Sequence, residues 1–441
     1  MILPTEILKK MVDDIISIER HNAITIKLMI RNRQDTSLTI DNSLIDTIDI
    51  NQSFATNTTD DIQVTVNMTP SQVKTLVASQ TDLYADMIIE YVDATTGHVV
   101  LDEKPIKLHY KVFVHDLSTL TKRFGVNTFE NTDSSENVSN THGAVYVRVD
   151  MQMMPDQEYN ANRASFVGMV RNSNVEELIK YMTSTIGITK LKMVPPDNQT
   201  KYQHVHIPPE HSNFRAAFDY LQSKFGVYAN GFRHYMTNGT LYVYPPFDMN
   251  SDRKPRLNII RVSENTYLGP SNFHKEEDNK DLTIITNTKL TSKTLSNVGS
   301  ENEGNTKVFV RSDGIFDGQV NHDDMSLVNI TASMSSKADT SISKDAAVVR
   351  YVKPTLNLMH HASKFSEANT ELMTFGWSNA RINVIEPGTP TTFIFDEKSK
   401  VMSKTGLVEA VRYSIRRARS IFTCGATLII RSDPTPIPYD K

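Results

Sequence analysis

The most informative segment of the sequence runs from residue 194 to residue 248 and reads VPPDNQTKYQHVHIPPEHSNFRAAFDYLQSKFGVYANGFRHYMTNGTLYVYPPFD. Pairs of prolines divide it into a loop, a short strand, a helix and a hairpin. The helix is predicted from about Asn213 to Phe225, because apolar residues recur on one face and Gly226 can end it. Asn238-Gly239 predicts the hairpin turn. The stretch therefore predicts a small α/β unit, and it contains no catalytic motif.

A second helix of this unit is predicted to start after Asn174. Asn174 can cap the helix, and Glu177 follows at the spacing of a capping box. Apolar residues at 175, 178, 179 and 182 fall on one face, and Gly187 can end the helix. Both helices of the unit are therefore predicted to pack on a common core.

The residues that precede this unit read mainly as β-strands. Ile24, Ile26, Leu28 and Ile30 alternate with other residues, which is the period of a strand with one buried face. Further strands are predicted at 45–54, 62–68, 87–92, 99–102, 106–114 and 145–151. Short helices are predicted at 5–14 and 70–79, a hairpin turn at 93–98, and an exposed polar loop at 127–141. Many short strands with tight turns indicate a barrel or a sandwich.

The residues that follow the unit return to β-structure. Strands are predicted at 256–262, 308–310, 327–330, 381–385, 392–395, 406–413 and 426–430. A helix is predicted at 356–365, and the polar segment at 287–305 is predicted to be a loop or a mobile flap. The segment at 333–345 is rich in serine, lysine and aspartate and low in apolar residues. The last nine residues contain three prolines and are expected to extend away from the core.

Composition limits the classes of function. The chain has 441 residues, of which 39% are apolar and 22% charged, and its net charge is −4. A weakly acidic chain is a poor match for a protein whose main task is to bind nucleic acid. The one cysteine, Cys424, excludes an intrachain disulfide and is predicted to be a buried structural thiol. No signal peptide or long apolar run is evident, so we expect no membrane anchor.

Motifs for phosphate binding, zinc proteases, redox thiols and serine hydrolases are missing from the sequence. His204 and His206 share one face of a predicted strand and could bind a metal, but no third ligand lies nearby. His360 and His361 are adjacent on a predicted helix and cannot easily face one ion. We therefore expect no catalytic, cofactor or metal site, and we predict that the protein is not an enzyme. An enzyme with dispersed catalytic residues would show no local motif either.

Several charged runs are interpreted without a catalytic role. The adjacent acidic residues are expected to be solvated on exposed loops; they are Asp60-Asp61, Glu276-Glu277-Asp278 and Asp323-Asp324. The basic cluster Arg416, Arg417 and Arg419 is interpreted as a solvated face, with a salt-bridged subunit contact as the alternative.

The order of these parts resembles the baseplate hub proteins of contractile-tailed bacteriophages, a family related to the hub part of type VI secretion spikes. The segments that carry the resemblance are Ile207-Pro208-Pro209, Phe225-Gly226-Val227-Tyr228, Leu241-Tyr242-Val243-Tyr244-Pro245 and Glu386-Pro387-Gly388. It implies a mainly β fold with an α+β insertion: two β-barrel-like hub domains plus a small α/β domain. The implied domains are a first barrel at 1–165, an α/β insertion at 166–250, a mixed connecting region at 251–374, and a second barrel with an extended tail at 375–441.

The resemblance also implies a function. Hubs of this family are homotrimers in which two related barrels per chain make a pseudo-sixfold ring. The ring joins the tail tube to the central spike and leaves a channel for DNA, which passes without specific binding. The implied partners are further copies of the chain, the tail tube protein, the central spike protein and other baseplate proteins, within a virion assembled in the host cytoplasm. Because no glycine-rich needle follows, the spike is expected to be a separate chain, and no cofactor is implied.

Two other functions remain open at this point. A hub-associated enzyme that degrades the cell wall would need carboxylates or metal ligands converging in a pocket. Another virion β protein, such as a distal tail or receptor-binding subunit, would expose aromatic residues at a tip. Trp377 is the one tryptophan of the chain, which disfavours that second alternative.

Overall fold

The structure is a computed structural model of the chain. It describes residues 22–32, 37–78, 82–93, 98–99, 105–115, 138–141, 144–248, 253, 255–261, 272–275, 281–286, 291–294, 307–311, 315–320, 327–332, 349–352, 370–397, 400–418, 421–433 and 435–439. The helix predicted at 5–14, the helix predicted at 356–365 and the polar segment at 333–345 lie outside these residues.

Strands dominate the described residues. In the first third of the chain they are β1 (Asn22–Arg31), β2 (Ser37–Ile40), β3 (Ile45–Ser53), β4 (Asp61–Met68), β5 (Tyr84–Asp93), β6 (Ile106–Val114), β7 (Val138–Thr141) and β8 (Ala144–Pro155). In the middle they are β9 (Gly168–Ser173), β10 (Lys190–Met193), β11 (Tyr202–Ile207), β12 (Arg233–Thr237) and β13 (Thr240–Tyr244). The mainly β fold predicted from the sequence is confirmed.

The remaining strands follow the middle of the chain. They are β14 (Leu257–Arg261), β15 (Asn272–Lys275), β16 (Leu282–Thr286), β17 (Thr291–Thr294), β18 (Lys307–Arg311), β19 (Ile315–Val320), β20 (Leu327–Ala332), β21 (Val349–Val352), β22 (Glu371–Trp377), β23 (Pro390–Glu397), β24 (Lys400–Ala418), β25 (Ile421–Ser432) and β26 (Ile437–Pro438). The α-helices are α1 (Pro70–Ala78), α2 (Asp156–Arg163), α3 (Val175–Thr185) and α4 (Phe214–Lys224), and two single-turn 3-10 helices lie at Asn42–Leu44 and Pro209–His211.

A first β unit closes on itself. Its strands follow the order β1–β5–β6–β8–β4–β3–β24–β25, and every neighbouring pair is antiparallel. The circuit closes where Ile24 of β1 pairs with Phe422 of β25. In β1, Ile24, Ile26 and Leu28 are buried while Lys27 is exposed, so the predicted alternation sets the inward face.

A second β unit uses the same two long strands. Its order is β15–β16–β14–β23–β24–β25–β22–β17. Unlike the first unit it contains parallel neighbours, because β14 runs parallel to both β16 and β23. Hydrogen bonding therefore crosses the predicted boundary at 374: strands from 257–294 complete the sheet that the sequence interpretation placed in 375–441. One apolar core extends through both units.

The α/β unit has a core of its own, which extends from Ala161 to Val243. The sheet β10–β13–β12 and the ribbon β9–β11 pack with helices α2, α3 and α4. Asn174 caps α3 in a complete capping box, and the Asn213 side chain accepts from the Ala216 amide at the start of α4. Both helix starts and the Asn-Gly hairpin are thus confirmed, whereas α2 was not predicted. Strands β18 to β21 form a separate four-stranded sheet.

Two further predictions from the sequence are wrong. The C-terminal tail does not extend away from the core, because Ile437 and Pro438 form β26, which pairs with Ser403 and Met402 of β24. The segment 287–305 is not all loop, because residues 291–294 form β17, which pairs with β22.

The strand predicted at 381–385 is wrong. That segment turns rather than extends, and both Asn379 and Asn383 have positive φ angles, of 52° and 59°. Asparagine tolerates this left-handed backbone, which a strand does not contain. Ile382 and Ile385 are buried by packing on the main core rather than by strand pairing. The apolar residues of this segment therefore led to the prediction of a strand where the structure has a turn.

Candidate functional site

The hairpin of β24 and β25 is the structural link between the two β units. Residues 400–407 of β24 pair with β23, whereas residues 410–416 pair with β3. On the other side of the hairpin, residues 426–432 of β25 pair with β22, and Phe422 pairs with β1. Each end of one hairpin therefore belongs to a different β unit.

A β-bulge lies where β24 changes partners. The register shifts between Val408 and Ala410. The Val408 amide donates to the Thr389 carbonyl at 3.2 Å, on the side of β23, while the Phe54 amide donates to the Glu409 carbonyl at 2.9 Å, on the side of β3. A bulge bends a strand and increases its local twist. The bulge at Glu409 thus lets one strand take part in two differently oriented sheets.

Buried ion pairs flank this bulge. Arg431 lies 2.8 Å from Glu409, and its other terminal nitrogen donates to the Thr370 hydroxyl at 2.7 Å. The side chains of Arg431 and Glu409 are only 8% and 15% exposed. Lys404 pairs with Glu371 at 2.5 Å and is similarly enclosed. Because each charge is paired inside the fold, these contacts fix β22 and β24 against each other.

A second polar cluster connects the first β unit to the α/β unit. Asp60, in the turn between β3 and β4, is 4% exposed. Its carboxylate accepts from the Tyr235 hydroxyl at 2.9 Å, the Thr237 hydroxyl at 2.8 Å and the Gln52 amide at 3.1 Å. Burial raises the pKa of Asp60 to about 6, although these three hydrogen bonds lower it.

Backbone contacts reinforce the Asp60 cluster. The Met236 amide donates to the Thr58 carbonyl at 2.7 Å, and the Thr58 hydroxyl donates to Glu158 of α2 at 2.8 Å. The ring of Phe54 meets Tyr235 edge to face at 4.8 Å. The turn between β3 and β4 is therefore attached to both β12 and α2.

The outer face of β24, β3, β4 and β8 carries an open groove with a volume of about 610 Å³. Four charged side chains line it in two pairs: Arg416 lies 2.9 Å from Asp49, and Arg148 lies 3.5 Å from Asp150. All four are about half exposed, so solvent screens the pairs and each contributes little to stability. The charges of the groove balance, so it has no strong field of either sign.

The structure locates the residues that the sequence singled out. His204 and His206 are exposed and pair across the ribbon with Arg171 and Met169, so their common face is confirmed. Cys424 is buried, and burial raises the pKa of its thiol to about 12. The interpretation of Asp60 as a solvated residue is wrong, because the turn that holds it packs on β12.

The basic cluster is only partly described. Arg416 pairs with Asp49, and Arg417 donates to the Ser43 carbonyl within the same chain. Arg419, the acidic runs at 276–278 and 323–324, and His360-His361 lie outside the described residues. The buried cluster around Asp60 was missed; the one signal for it was an acidic residue within the short link between two predicted strands.

Among the residues that the structure describes, no group of three or more histidine, cysteine or acidic side chains is arranged to hold a metal ion. No described helix is both long and apolar enough to cross a membrane.

Comparison with protein families found a match to the family "Bacteriophage PBS1 gene 109 protein" over residues 110–314. Comparison with curated proteins found no match. Among solved structures, a tail protein from Neisseria meningitidis MC58 is 11% identical, with a TM-score of 0.48, covering 93% of this chain and 97% of that one. The 43 kDa tail protein of prophage MuSo2 from Shewanella oneidensis is 8% identical, with a TM-score of 0.46, covering 92% and 96%.

The chain resembles phage tail proteins. The match to a bacteriophage protein family confirms the resemblance predicted from the sequence at the level of a phage protein. A third similar structure is the E. coli c3393 protein, described as a component of the type VI secretion system; it is 9% identical, with a TM-score of 0.39, covering 93% of this chain and 77% of that one.

Proposed function

We propose that this chain is a structural baseplate hub of a contractile phage tail. Three copies form a pseudo-sixfold ring that joins the tail tube to the central spike and leaves a channel for DNA. One observation carries the proposal: the β24–β25 hairpin belongs to two sheets at once, so each chain presents two β units side by side. Three chains then supply six β units around one axis, the number that a sixfold tube requires.

The two β units are alike only close to the hairpin. In the first unit the order β3–β24–β25–β1 is antiparallel throughout, and so is the order β23–β24–β25–β22 in the second. Farther away, the second unit contains the parallel strands around β14. We therefore expect only these four-stranded segments to follow the pseudo-sixfold symmetry of the ring. The remaining parts of the two units should follow threefold symmetry.

The charge of the chain supports a channel that does not bind DNA specifically. The net charge of the chain is −4, and the groove on the first β unit carries two acidic and two basic side chains in pairs. Strong binding to DNA needs clustered positive charge that neutralises phosphates. A ring of this chain would therefore let DNA pass without specific binding, and its partners are the tail tube, the central spike and other baseplate proteins of the virion.

The mass of the full chain in solution tests the proposal. We expect native mass spectrometry to show three chains of 49.8 kDa each, either alone or after addition of the tail tube protein of the same phage. A monomer at micromolar concentration that stays a monomer with the tube and spike proteins present would contradict the hub role. Cleavage of peptidoglycan by the purified chain, lost on substitution of a carboxylate, would support the enzyme alternative instead.

A further inference from the structure

The carboxyl group of Asp60 lies where β12 of the α/β unit meets the main core. Asp60 belongs to the turn between β3 and β4, and it accepts hydrogen bonds from Tyr235 and Thr237 of β12. The ring of Tyr235 packs in the main core, whereas Met236, the next residue of β12, packs in the core of the α/β unit. The three hydrogen bonds described for Asp60 all come from neutral donors, the hydroxyls of Tyr235 and Thr237 and the amide of Gln52. An ionised carboxylate there lacks the compensation that a buried charge usually receives from a cation.

Other titratable groups surround this carboxyl group. They are Tyr110 in β6, Glu158 in α2, Tyr235 in β12, Tyr242 in β13 and Tyr413 in β24. Burial raises the pKa of each of these four tyrosines, so they remain neutral at physiological pH. Glu158 is a second acidic group and is bound by the Thr58 hydroxyl. Burial raises the pKa of Asp60 to about 6, which lies near neutrality.

We propose that Asp60 is a proton-dependent latch between the first β unit and the α/β unit. When Asp60 is protonated, the turn between β3 and β4 stays closed on β12. When it is ionised, the contact opens more readily, because water solvates the carboxylate better than three neutral donors do.

The direction of the pH effect follows from linkage. In the open junction Asp60 meets water and has its ordinary pKa of 3.8, whereas in the closed junction burial raises it to about 6. Closure is therefore most favourable below pH 3.8 and weakens as pH rises through 6. Between about pH 5 and about pH 7.5, the ratio of open to closed junction rises about tenfold.

His234, beside Tyr235 on β12, is a further titratable group whose pKa burial shifts. It lies on the opposite side of the strand, stacked on Phe218 at 4.6 Å within the core of the α/β unit. Burial lowers its pKa to about 3. Opening of the latch leaves this core intact, so His234 stays buried. The wild type and a variant that differs from it only at Asp60 both contain His234. Any effect of His234 on opening of the junction is therefore the same in both proteins and does not contribute to the difference between them.

The Met236 amide reports directly on the latch, because it donates across the junction to the Thr58 carbonyl. We would measure its hydrogen exchange by residue-resolved mass spectrometry on the full chain, corrected for the intrinsic rate at each pH. The wild type should exchange about tenfold faster at about pH 7.5 than at about pH 5, and Asp60→Asn should lose this difference. Asp61→Asn is the matched control, because Asp61 accepts from Gln152 within the first β unit and should behave as the wild type.

A second variant tests the latch even if Asp60→Asn does not fold. Tyr235→Phe keeps the ring that packs on Phe54 but removes one donor to Asp60, so the midpoint of the exchange transition should move to higher pH. The latch is overturned if corrected exchange at Met236 in the wild type does not depend on pH, if Asp60→Asn keeps the tenfold difference, or if Tyr235→Phe leaves the midpoint unchanged.

Discussion

Gly406 is the residue at which the shared hairpin tolerates no side chain. A Cβ atom at this position would overlap the Arg431 carbonyl oxygen and lie 3.0 Å from the Ser432 Cα atom, both of them backbone atoms of β25. Backbone cannot move aside as a flexible side chain can. We expect Gly406→Ala to lower the free energy of unfolding by about 1–3 kcal/mol, as other overpacked substitutions do, measured by urea denaturation.

Gly425 provides the matched control on the same hairpin. Nothing lies within 4 Å of a Cβ atom placed there, and its φ angle is not positive. Gly425→Ala should therefore keep or slightly increase stability, by up to about 1 kcal/mol. Equal losses of stability in the two variants would show that the close backbone contact at Gly406 is not the cause of the destabilisation.

His234 predicts acid sensitivity of the α/β unit. Burial lowers its pKa to about 3, and global unfolding restores the ordinary value of 6.5. The neutral ring is favoured in the fold, so this contribution to stability is present above pH 6.5 and is lost as pH falls toward 3. Between about pH 7 and about pH 4.5 the loss should be roughly 2–3 kcal/mol.

Substitution of the histidine tests that contribution. His234→Phe should remove this part of the pH dependence of urea unfolding, because phenylalanine can stack on Phe218 without a proton to gain. His206→Phe is the control, since His206 is exposed on the ribbon and should leave the acid loss in place. Unchanged acid sensitivity in His234→Phe would rule out the buried imidazole as its source.

At the scale of the elements, short sequence motifs correctly predicted the features that depend on interactions between neighbouring residues. The capping box at Asn174 and the hairpin turn at Asn238-Gly239 each need only a few neighbouring residues, and both were predicted correctly. The burial of Asp60 could not be predicted in this way, because it depends on Tyr235, which lies far away along the chain. The wrong strand at 381–385 has the same origin: its isoleucines are buried by distant partners.

The ion pair of Arg431 and Glu409 should act as a unit beside the bulge. Both side chains are largely buried, so removal of one partner leaves an uncompensated charge. We expect Arg431→Met to cost about 3–5 kcal/mol, and the double variant Arg431→Met with Glu409→Leu to cost much less. A double-mutant cycle in urea measures the coupling, and Lys180→Ala, in an exposed pair with Glu176, should cost less than about 1 kcal/mol. Strictly additive losses for Arg431 and Glu409 would contradict the coupling.

At the scale of the molecule, the pairing of β3 with β24 connects the two ends of the chain. Alternation of apolar residues predicted parts of both strands, but it does not show which strand each of them pairs with. That pairing depends on shape and register across the whole fold. For this reason the sequence interpretation placed the two barrels in separate segments. The shared hairpin is therefore a property that only the assembled fold shows.

A shared hairpin predicts that the two β units unfold together. Trp377 lies in β22 of the second unit, and it can report unfolding by fluorescence. Ile89 is buried in β5 of the first unit, so Ile89→Ala should cost about 2–5 kcal/mol and lower the urea midpoint seen at Trp377. Ile437→Ala, at an exposed position, should leave that midpoint in place. If Ile89→Ala leaves the urea midpoint of Trp377 fluorescence unchanged, the two units unfold independently.

A reconstruction of the assembled ring, calculated without imposed symmetry, would show directly whether the chain forms a hub. We expect three copies of this chain around one channel, with six β units at similar radius and the β24–β25 hairpin of each copy between its own two units. A ring with any other number of copies, or a chain whose two β units lie at different radii from the axis, would contradict it.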